Sequence, residues 1–274
     1  MNEVKSIKTN NFDKKINVGI LASFSLNGIE ETLRVKCAQK GIDCRTYVGD
    51  YNQYNQEIFK SDSKLFQFNP QLTFLILDIR HILGELYFLP YSISASERKE
   101  FVETKVNEIK KLVETFLDNS NSKLVITNFQ IPVYSPYGIN EQKEDFGMKQ
   151  LVYEINNKIR HELKDQPLVF ICDFNEFVMK FGEYNVFNYQ DYFFGDIKIS
   201  IDYIPKFTDE LLGYVNAVMG ITKKCIVLDL DNTLWGGIIG EDGFDNIKLG
   251  DDAVGRSFVE FQKRLLALNQ RGII

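Results

Sequence analysis

The sequence predicts an α/β protein built on a doubly wound parallel sheet. Five short apolar segments, rich in β-branched residues, alternate with segments of helical periodicity before Gly220. Continuous apolar runs are typical of strands buried on both faces of a parallel sheet, and alternation with helices indicates βαβ units. A further apolar run begins at residue 225 and leads into a different motif. We therefore predict two domains, residues 1–220 and residues 221–274.

Each predicted element of the first domain rests on a local pattern. The predicted strands are 16–22, 44–48, 72–77, 124–127 and 168–172. The predicted helices are 29–40, 57–60, 94–117, 147–163 and 207–219. Ser94 and Glu97 form the pattern of a capping box at the start of the longest helix. Residues 1–15 are expected to be an arm or a docked tail, and the aromatic stretch 181–200 has too little periodicity for a prediction.

Composition narrows the class of protein. The chain has 274 residues, of which 44% are apolar and 26% charged, as is ordinary for a globular protein. No apolar run is long enough for a transmembrane helix, and the polar N-terminus lacks the apolar core of a signal peptide. The four cysteines show no metal or redox spacing, so we expect a reduced, cytoplasmic protein without membrane partners. A net charge of −6 disfavours nucleic acid as a partner.

The clearest functional signal is the run CIVLDLDNTLWGG at residues 225–237. Its apolar part predicts a buried strand, and Asp229 and Asp231 follow with a spacing of two. Because unpaired buried charge is costly, we expect these carboxylates to bind a hard divalent cation at the carboxyl end of the strand. Asp229 is suited to attack a phosphorus centre, and Asp231 to act as a general acid–base. The alternative is an acidic, solvated turn after a strand.

These residues resemble the first motif of the haloacid dehalogenase superfamily, Asp-x-Asp-x-Thr after an apolar strand. The longer run LDLDNTLWGGIIGEDG, residues 228–243, resembles the FkbH-like branch more narrowly. The resemblance implies that Asp229 is the nucleophile and Asp231 the acid–base. It also implies that Asp229 and the backbone carbonyl of Asp231 hold Mg²⁺. Members of the branch load a glyceryl unit from a bisphosphorylated glycerate onto a carrier-protein thiol. A phosphorylated small-molecule substrate and an acyl carrier protein are therefore the implied partners.

The first domain resembles the SGNH-hydrolase fold, a flavodoxin-like sheet in which a serine after the first strand is the nucleophile. Ser23 holds that position, and Gly49 and Asn128 would supply oxyanion donors. A serine nucleophile needs a base, usually histidine, and the late Asp-x-x-His motif of the family has no counterpart here. The chain has two histidines, His81 and His161, and neither takes that position. We expect a hydrolase-like shape without hydrolase activity.

The loop after the second predicted strand suggests a polar binding pocket. Tyr51, Asn52, Gln53 and Tyr54 follow Gly49 directly, and clustered hydroxyl and amide groups fix ligands by hydrogen bonds. Two alternatives to the phosphotransferase hypothesis therefore remain open. The first domain is an esterase or acyltransferase that uses Ser23, or it is a non-catalytic module that binds a carrier protein or another ligand.

The chain ends at Ile274, where the second strand of the phosphotransferase domain should begin. In the family that it resembles, the remaining motifs of that domain are a Ser or Thr on this second strand and, after it, a lysine and a further acidic group. The residues up to Ile274 do not include them. We therefore expect a fragment that is inactive in the phosphotransferase step. A single strand and helix cannot cover a sheet, so residues 221–274 should dock on the first domain, pair with another copy or be poorly ordered.

Overall fold

The computed structural model describes residue 12 and residues 14–274, which form two compact units that divide between Met219 and Gly220. The arm expected at residues 1–15 lies outside the described residues except for Phe12, Lys14 and Lys15, and the last two begin the first strand. No helix in the described part of the chain is both long and apolar enough to cross a membrane.

The first unit is built on a five-stranded parallel sheet. The strands are β1 Lys14–Ala22, β2 Ile42–Val48, β3 Leu72–Ile76, β4 Lys123–Thr127 and β5 Val169–Cys172. Their order in the sheet is β2-β1-β3-β4-β5, and every neighbouring pair is parallel. The chain thus starts at an interior strand, places β2 at one edge and then continues through β3 and β4 to β5 at the other edge. The predicted doubly wound α/β class is confirmed.

The helices follow the strands in alternation. In the first unit they are α1 Ile29–Gln39, α2 Tyr54–Phe59, α3 Lys64–Phe68, α4 Ile79–Leu83, α5 Ala95–Asn119, α6 Met148–Leu163, α7 Phe174–Phe181, α8 Glu183–Val186, α9 Tyr189–Gly195 and α10 Ile204–Val218. The predicted capping box is present at α5, where Ser94 and Glu97 satisfy each other's backbone N–H groups. The stretch 181–200, which had no prediction, contains α8 and α9.

Both faces of the sheet are covered. Leu75 and Ile126 belong to the apolar cluster that also contains the buried stripes of α5 and α6. Phe74 points to the opposite face, because successive side chains of a strand alternate. Its ring contacts Tyr214 of α10 edge-on, with the centroids 6.4 Å apart, and α10 packs against α1. Because the helices cover the two faces, a ligand site is expected at the carboxyl ends of the strands.

The second unit contains α11 Ile239–Asp242 and α12 Gly255–Gln270. The prediction that residues 225–228 form a buried strand is wrong for this structure, because the segment is not part of a strand, residues 225–227 are exposed, and Val227 is 92% accessible. Among the described residues its backbone pairs with Ile274: Ile226 N donates to Ile274 O at 2.7 Å, and Ile274 N donates to Lys224 O at 2.9 Å. A strand needs neighbours for its hydrogen bonds, and the described residues of this unit supply one such partner.

Arg98, near the start of α5, holds two loops of the first unit together. Its buried guanidinium donates to Phe146 O at 2.8 Å, Asp145 O at 2.9 Å, Ile93 O at 2.7 Å and Pro90 O at 3.3 Å. Four carbonyl groups of two separate loops therefore share one side chain. Since buried polar groups need partners, the charge is well satisfied and the loops are fixed to the helix.

We expect Arg98→Met to lower the free energy of unfolding by about 3 kcal/mol, because it leaves several buried carbonyls without donors. Arg98→Lys should recover part of the loss, since an ammonium reaches fewer carbonyls than a guanidinium. Urea unfolding followed by circular dichroism measures both variants. Arg160→Met, at an exposed position of α6, is the control and should be close to the parent. Equal stability of the Arg98 and Arg160 variants would contradict this role.

Candidate functional site

Ser23 and Asp78 meet where the neighbouring strands β1 and β3 end. Ser23 N donates to Ile76 O at 3.1 Å, and the Ser23 hydroxyl accepts a hydrogen bond from Asp78 N at 2.8 Å. Both side chains are completely buried. Within the described residues, this backbone N–H is the hydrogen-bond partner of the Ser23 hydroxyl, and no histidine contacts it. Ser23 therefore ties the ends of two strands together.

Asp78 forms a buried ion pair with Lys198, which lies in the segment between α9 and α10. The two side chains are 0% and 4% exposed. Lys198 Nζ also donates to Gln130 Oε1 at 3.0 Å, and the Tyr192 hydroxyl donates to Asp78 Oδ2 at 3.3 Å. Asp78 Oδ1 also accepts from Arg80 N at 3.3 Å, at the start of α4. The carboxylate thus receives bonds from three separate parts of the first unit.

In the Asp78–Lys198 pair, the charge of each side chain shifts the pKa of the other. Burial by itself would raise the pKa of Asp78, but the Lys198 ammonium and the nearby His81 hold that pKa well below its usual range. Burial lowers the pKa of Lys198, and Asp78 offsets only part of this effect. We conclude that Asp78 is ionised at neutral pH, so that the ammonium has a counter-ion.

His81 lies between two carboxylates. Its Nδ1 is 3.8 Å from Asp78 Oδ2, and its Nε2 is 3.5 Å from Asp196 Oδ2. The neighbouring Asp78 carboxylate raises the pKa of His81, although burial opposes this. Burial raises the pKa of Asp196, which accepts a hydrogen bond from the Tyr51 hydroxyl. That bond in turn raises the pKa of Tyr51 to about 12.

An open pocket of about 570 Å³ lies over this cluster. Tyr51, His81 and Asp196 line it together with Ser25, Tyr192, Phe193, Phe194 and Gly195. Aromatic walls with a few polar groups are typical of small-molecule sites. The sequence analysis considered His81 as a possible base but did not identify Lys198, Asp196 and Tyr192, because residues 181–200 show no regular pattern. A lysine flanked by Ile197 and Ile199 was the available signal, since an apolar setting implies a buried counter-ion.

Within the described residues, no hydrogen bond joins the three residues predicted as an SGNH-like site to one another. Gly49 N donates to Ile20 O at 2.9 Å, and a Cβ atom on Gly49 would lie 2.6 Å from Leu21 Cδ2, so close packing requires this glycine. Asn128 donates to Asp173 Oδ1 at 2.8 Å and accepts from Asn175 N at 3.0 Å, which closes a turn after β4. Ser23 instead contacts Asp78.

The four residues predicted to line a binding pocket do not all line the same pocket. Tyr51 reaches the pocket described above and is 54% exposed. Asn52 adopts a left-handed conformation with φ of 54° and is exposed, and Gln53 is the exposed residue before α2. Tyr54 packs against the apolar cluster below α5 and α6. One of these four side chains therefore reaches the pocket.

In the second unit, the Asp229–Gly237 loop is held by its own side chains. Asp231 Oδ1 accepts from Trp235 Nε1 at 3.0 Å and from Ile239 N at 3.3 Å. Asn232 has a φ of 55°, and its Oδ1 accepts from Gly237 N at 2.9 Å. Asp229 is exposed, with Oδ1 accepting from Leu230 N at 2.8 Å. The loop therefore fixes the Asp231 carboxylate and leaves Asp229 accessible.

The donor set of this loop suits a hard cation. Among the described residues there is no group of three or more His, Cys, Asp or Glu side chains that could hold a metal ion. The loop offers the Asp229 and Asp231 carboxylates and backbone carbonyls, which are all oxygen ligands. Mg²⁺ is usually bound by one or two carboxylates, with waters and substrate phosphates completing its shell. The residues present fit Mg²⁺ in ligand type.

The five-stranded parallel sheet, covered by helices on both faces, gives the first unit a doubly wound α/β fold. Residues 17–216 match the model of the FkbH N-terminal domain, and the chain belongs to that family. A solved structure similar to the chain is the N-terminal part of protein BF1531 from Bacteroides fragilis, containing a phosphatase domain and complexed with Mg. It is 22% identical, has a TM-score of 0.84, and the alignment covers 100% of this chain and 71% of that one.

A second solved structure is a catalytic mutant of Axe2, an acetylxylan esterase from Geobacillus stearothermophilus. It is 11% identical, with a TM-score of 0.46, and the alignment covers 76% of this chain and 96% of that one. A search of curated proteins found no match.

We expect the Asp78–Lys198 pair to be sensitive to the loss of either partner. Asp78→Asn and Lys198→Met should each lower the free energy of unfolding by about 3–5 kcal/mol, because each leaves a buried charge uncompensated. The double variant should lose less than the sum of the two single variants, since it removes both charges. Strictly additive losses in urea unfolding would contradict the coupling. Glu162→Gln, which breaks an exposed pair with Lys110, is the control and should change little.

The raised pKa of His81 predicts a pH-dependent stability. Protonated His81 faces Asp78, Asp196 and the opposing charge of Lys198. Its contribution to the free energy of unfolding should be complete below pH about 6.5 and lost as pH rises through the folded-state pKa. His81→Asn should remove this component between about pH 5.5 and 8.5. His161→Asn, whose parent side chain is 74% exposed, should retain it. An unchanged profile in His81→Asn would contradict the prediction.

Proposed function

We propose that the protein is a Mg²⁺-dependent phosphotransferase of the FkbH type, with Asp229 as nucleophile and Asp231 as general acid–base. The observation that carries the proposal is the contrast between these two carboxylates. Asp231 is oriented by the Trp235 indole and by Ile239 N, whereas Asp229 is exposed at the same loop. A positioned acid–base beside an accessible nucleophile is the arrangement that phosphoryl transfer through an aspartyl phosphate needs.

The proposed reaction has two steps. An oxygen of Asp229 attacks the phosphorus atom, the bond from phosphorus to the leaving oxygen breaks, and Asp231 gives that oxygen a proton. A water molecule, activated by Asp231, then attacks the phosphorus atom and releases Asp229 and inorganic phosphate. Asp229 and the backbone carbonyl of Asp231 would hold Mg²⁺, which offsets repulsion between the carboxylates and the phosphoryl oxygens.

The proposed substrate is a bisphosphorylated three-carbon acid: the thiol of an acyl carrier protein attacks its acyl carbon and displaces the acyl phosphate as inorganic phosphate, which forms a thioester, and the Asp229 reaction removes the other phosphate. Membership of the FkbH N-terminal domain family supports this assignment. The Bacteroides fragilis protein of similar fold contains a phosphatase domain and was crystallised with Mg, which supports phosphoryl chemistry beside such a first unit. The esterase alternative has less support, because the Ser23 hydroxyl is buried against a backbone N–H.

We expect Asp229→Asn in the intact protein to abolish phosphate release from a phosphorylated glycerate and from an aryl phosphate, because an amide is a poor nucleophile. Asp231→Asn should reduce turnover by about 10²–10⁴-fold, the usual contribution of general acid–base catalysis. Phosphate release at saturating Mg²⁺ measures both. Asp245→Asn, an exposed position of the same unit, is the matched control and should retain turnover. Normal turnover by Asp229→Asn would sink the proposal.

A further inference from the structure

The pocket over His81 and Asp196 has no part in the proposed phosphoryl transfer, yet it has the composition of a binding site. His81, Asp196, Tyr51 and Ser25 supply polar groups, and the rings of α9 supply apolar walls. The Tyr51 hydroxyl is tied to Asp196, and Ser25 Oγ donates to Gly195 O at 2.8 Å. These contacts fix the polar groups before any ligand arrives, so little ordering is needed on binding.

Two aromatic side chains of α9 that line the pocket are exposed to solvent. Phe193 and Phe194 are 73% and 86% accessible, and α9 has no buried residue. Phe88, also exposed, lies near the same cation as Phe193. Scattered exposed apolar residues need no explanation, but rings gathered around one pocket indicate an interaction site. The exposed rings are therefore better explained by a ligand than by packing.

Arg80 holds this aromatic wall in place. Its guanidinium lies 4.7 Å from the ring centroid of Tyr192, 6.0 Å from that of Phe193 and 5.1 Å from that of Tyr189. The rings of Tyr87 and Phe88 lie 4.6 and 5.7 Å away. A cation among ring faces is attracted to each of them. The Arg80 guanidinium therefore holds these rings in position, and no ligand charge is needed for this.

The charges around the pocket disfavour an ionic ligand. The Asp196 carboxylate lies in the lining and would repel an anion. Arg80 already uses the ring faces of Tyr192 and Phe193, and with His81 it would repel a cation. Desolvating an unmatched charge costs several kcal/mol. A neutral ligand avoids both penalties.

We propose that this pocket binds a neutral, hydroxyl-bearing ring such as a pyranose. The apolar C–H face of the ring stacks on Phe193 and Phe194, and its hydroxyl groups form hydrogen bonds with Asp196 and Tyr51. A carboxylate is a strong acceptor for hydroxyl groups, and flat aromatic walls suit a ring better than an extended chain. The open shape of the pocket leaves room for substituents on the ring.

The test is titration of the protein with methyl β-glucopyranoside, methyl β-galactopyranoside and methyl β-xylopyranoside, followed by saturation-transfer NMR. We expect at least one to bind with a Kd of about 1–10 mM, the range for a single small ring. Inorganic phosphate, tetramethylammonium and pantetheine serve as anionic, cationic and chain-like probes. Failure of all three pyranosides to bind, or tighter binding of any rival probe, would overturn the proposal.

Substitutions of the residues that line the pocket test whether the pyranoside binds there. Phe193→Ala and Phe194→Ala should each weaken binding at least about fivefold, and Asp196→Asn about tenfold or more, because it replaces a charged acceptor. Tyr184→Ala removes an equally exposed ring that does not line the pocket, and it should bind like the parent. Asp229→Asn should also bind normally, which separates this proposal from the phosphotransferase proposal. Unchanged affinity in both phenylalanine variants would refute the assignment.

Discussion

The first unit depends on one buried ion pair, Asp78–Lys198. Its partners are 120 residues apart in sequence, and they join the carboxyl end of β3 to the irregular segment before α10. A charge buried this deeply must have a partner, because its desolvation would otherwise exceed what the fold can offset. The pair therefore fixes the path of a segment that has little regular structure of its own. Asp196 lies on that segment and Tyr192 lies in α9 directly before it, so the pocket takes its shape from this interaction.

The same pair explains why Ser23 lacks the geometry of a hydrolase nucleophile. Asp78 lies next to Ser23, and its backbone N–H occupies the hydroxyl oxygen that a nucleophile would expose. His81 faces Asp78 with one ring nitrogen and Asp196 with the other. An imidazole held between two carboxylates is stabilised in its charged form and is a poor base for a serine. The carboxyl edge of the sheet is thereby suited to binding, and the proposed phosphoryl chemistry belongs to the second unit.

The sequence revealed the features that depend on local pattern. Apolar runs predicted the strands of the first unit, and the spacing of Ser94 and Glu97 predicted the start of α5. The Asp78–Lys198 contact could not be predicted in this way, because no period relates two residues from distant irregular segments. Asn128 was paired with Ser23 on the assumption that strand ends converge, whereas its amide closes a turn with Asp173 and Asn175. Side chains at one sheet edge share a region but not a site.

The second unit shows the converse, a motif that assembles although the segment before it forms no strand. Residues 225–227 are exposed because a strand is stabilised by neighbours on both sides, and here Ile274 is the partner that the described residues provide. The Asp231–Gly237 turn is held by hydrogen bonds between its own residues and by bonds to Lys248 and Gln262 of the same unit. A Cβ atom on Gly236 would lie 2.9 Å from a ring atom of Phe258, so α12 also requires a glycine in the turn. Contacts within the unit therefore determine the conformation of the acidic loop. The segment before the loop needs neighbouring strands of a sheet to become a strand.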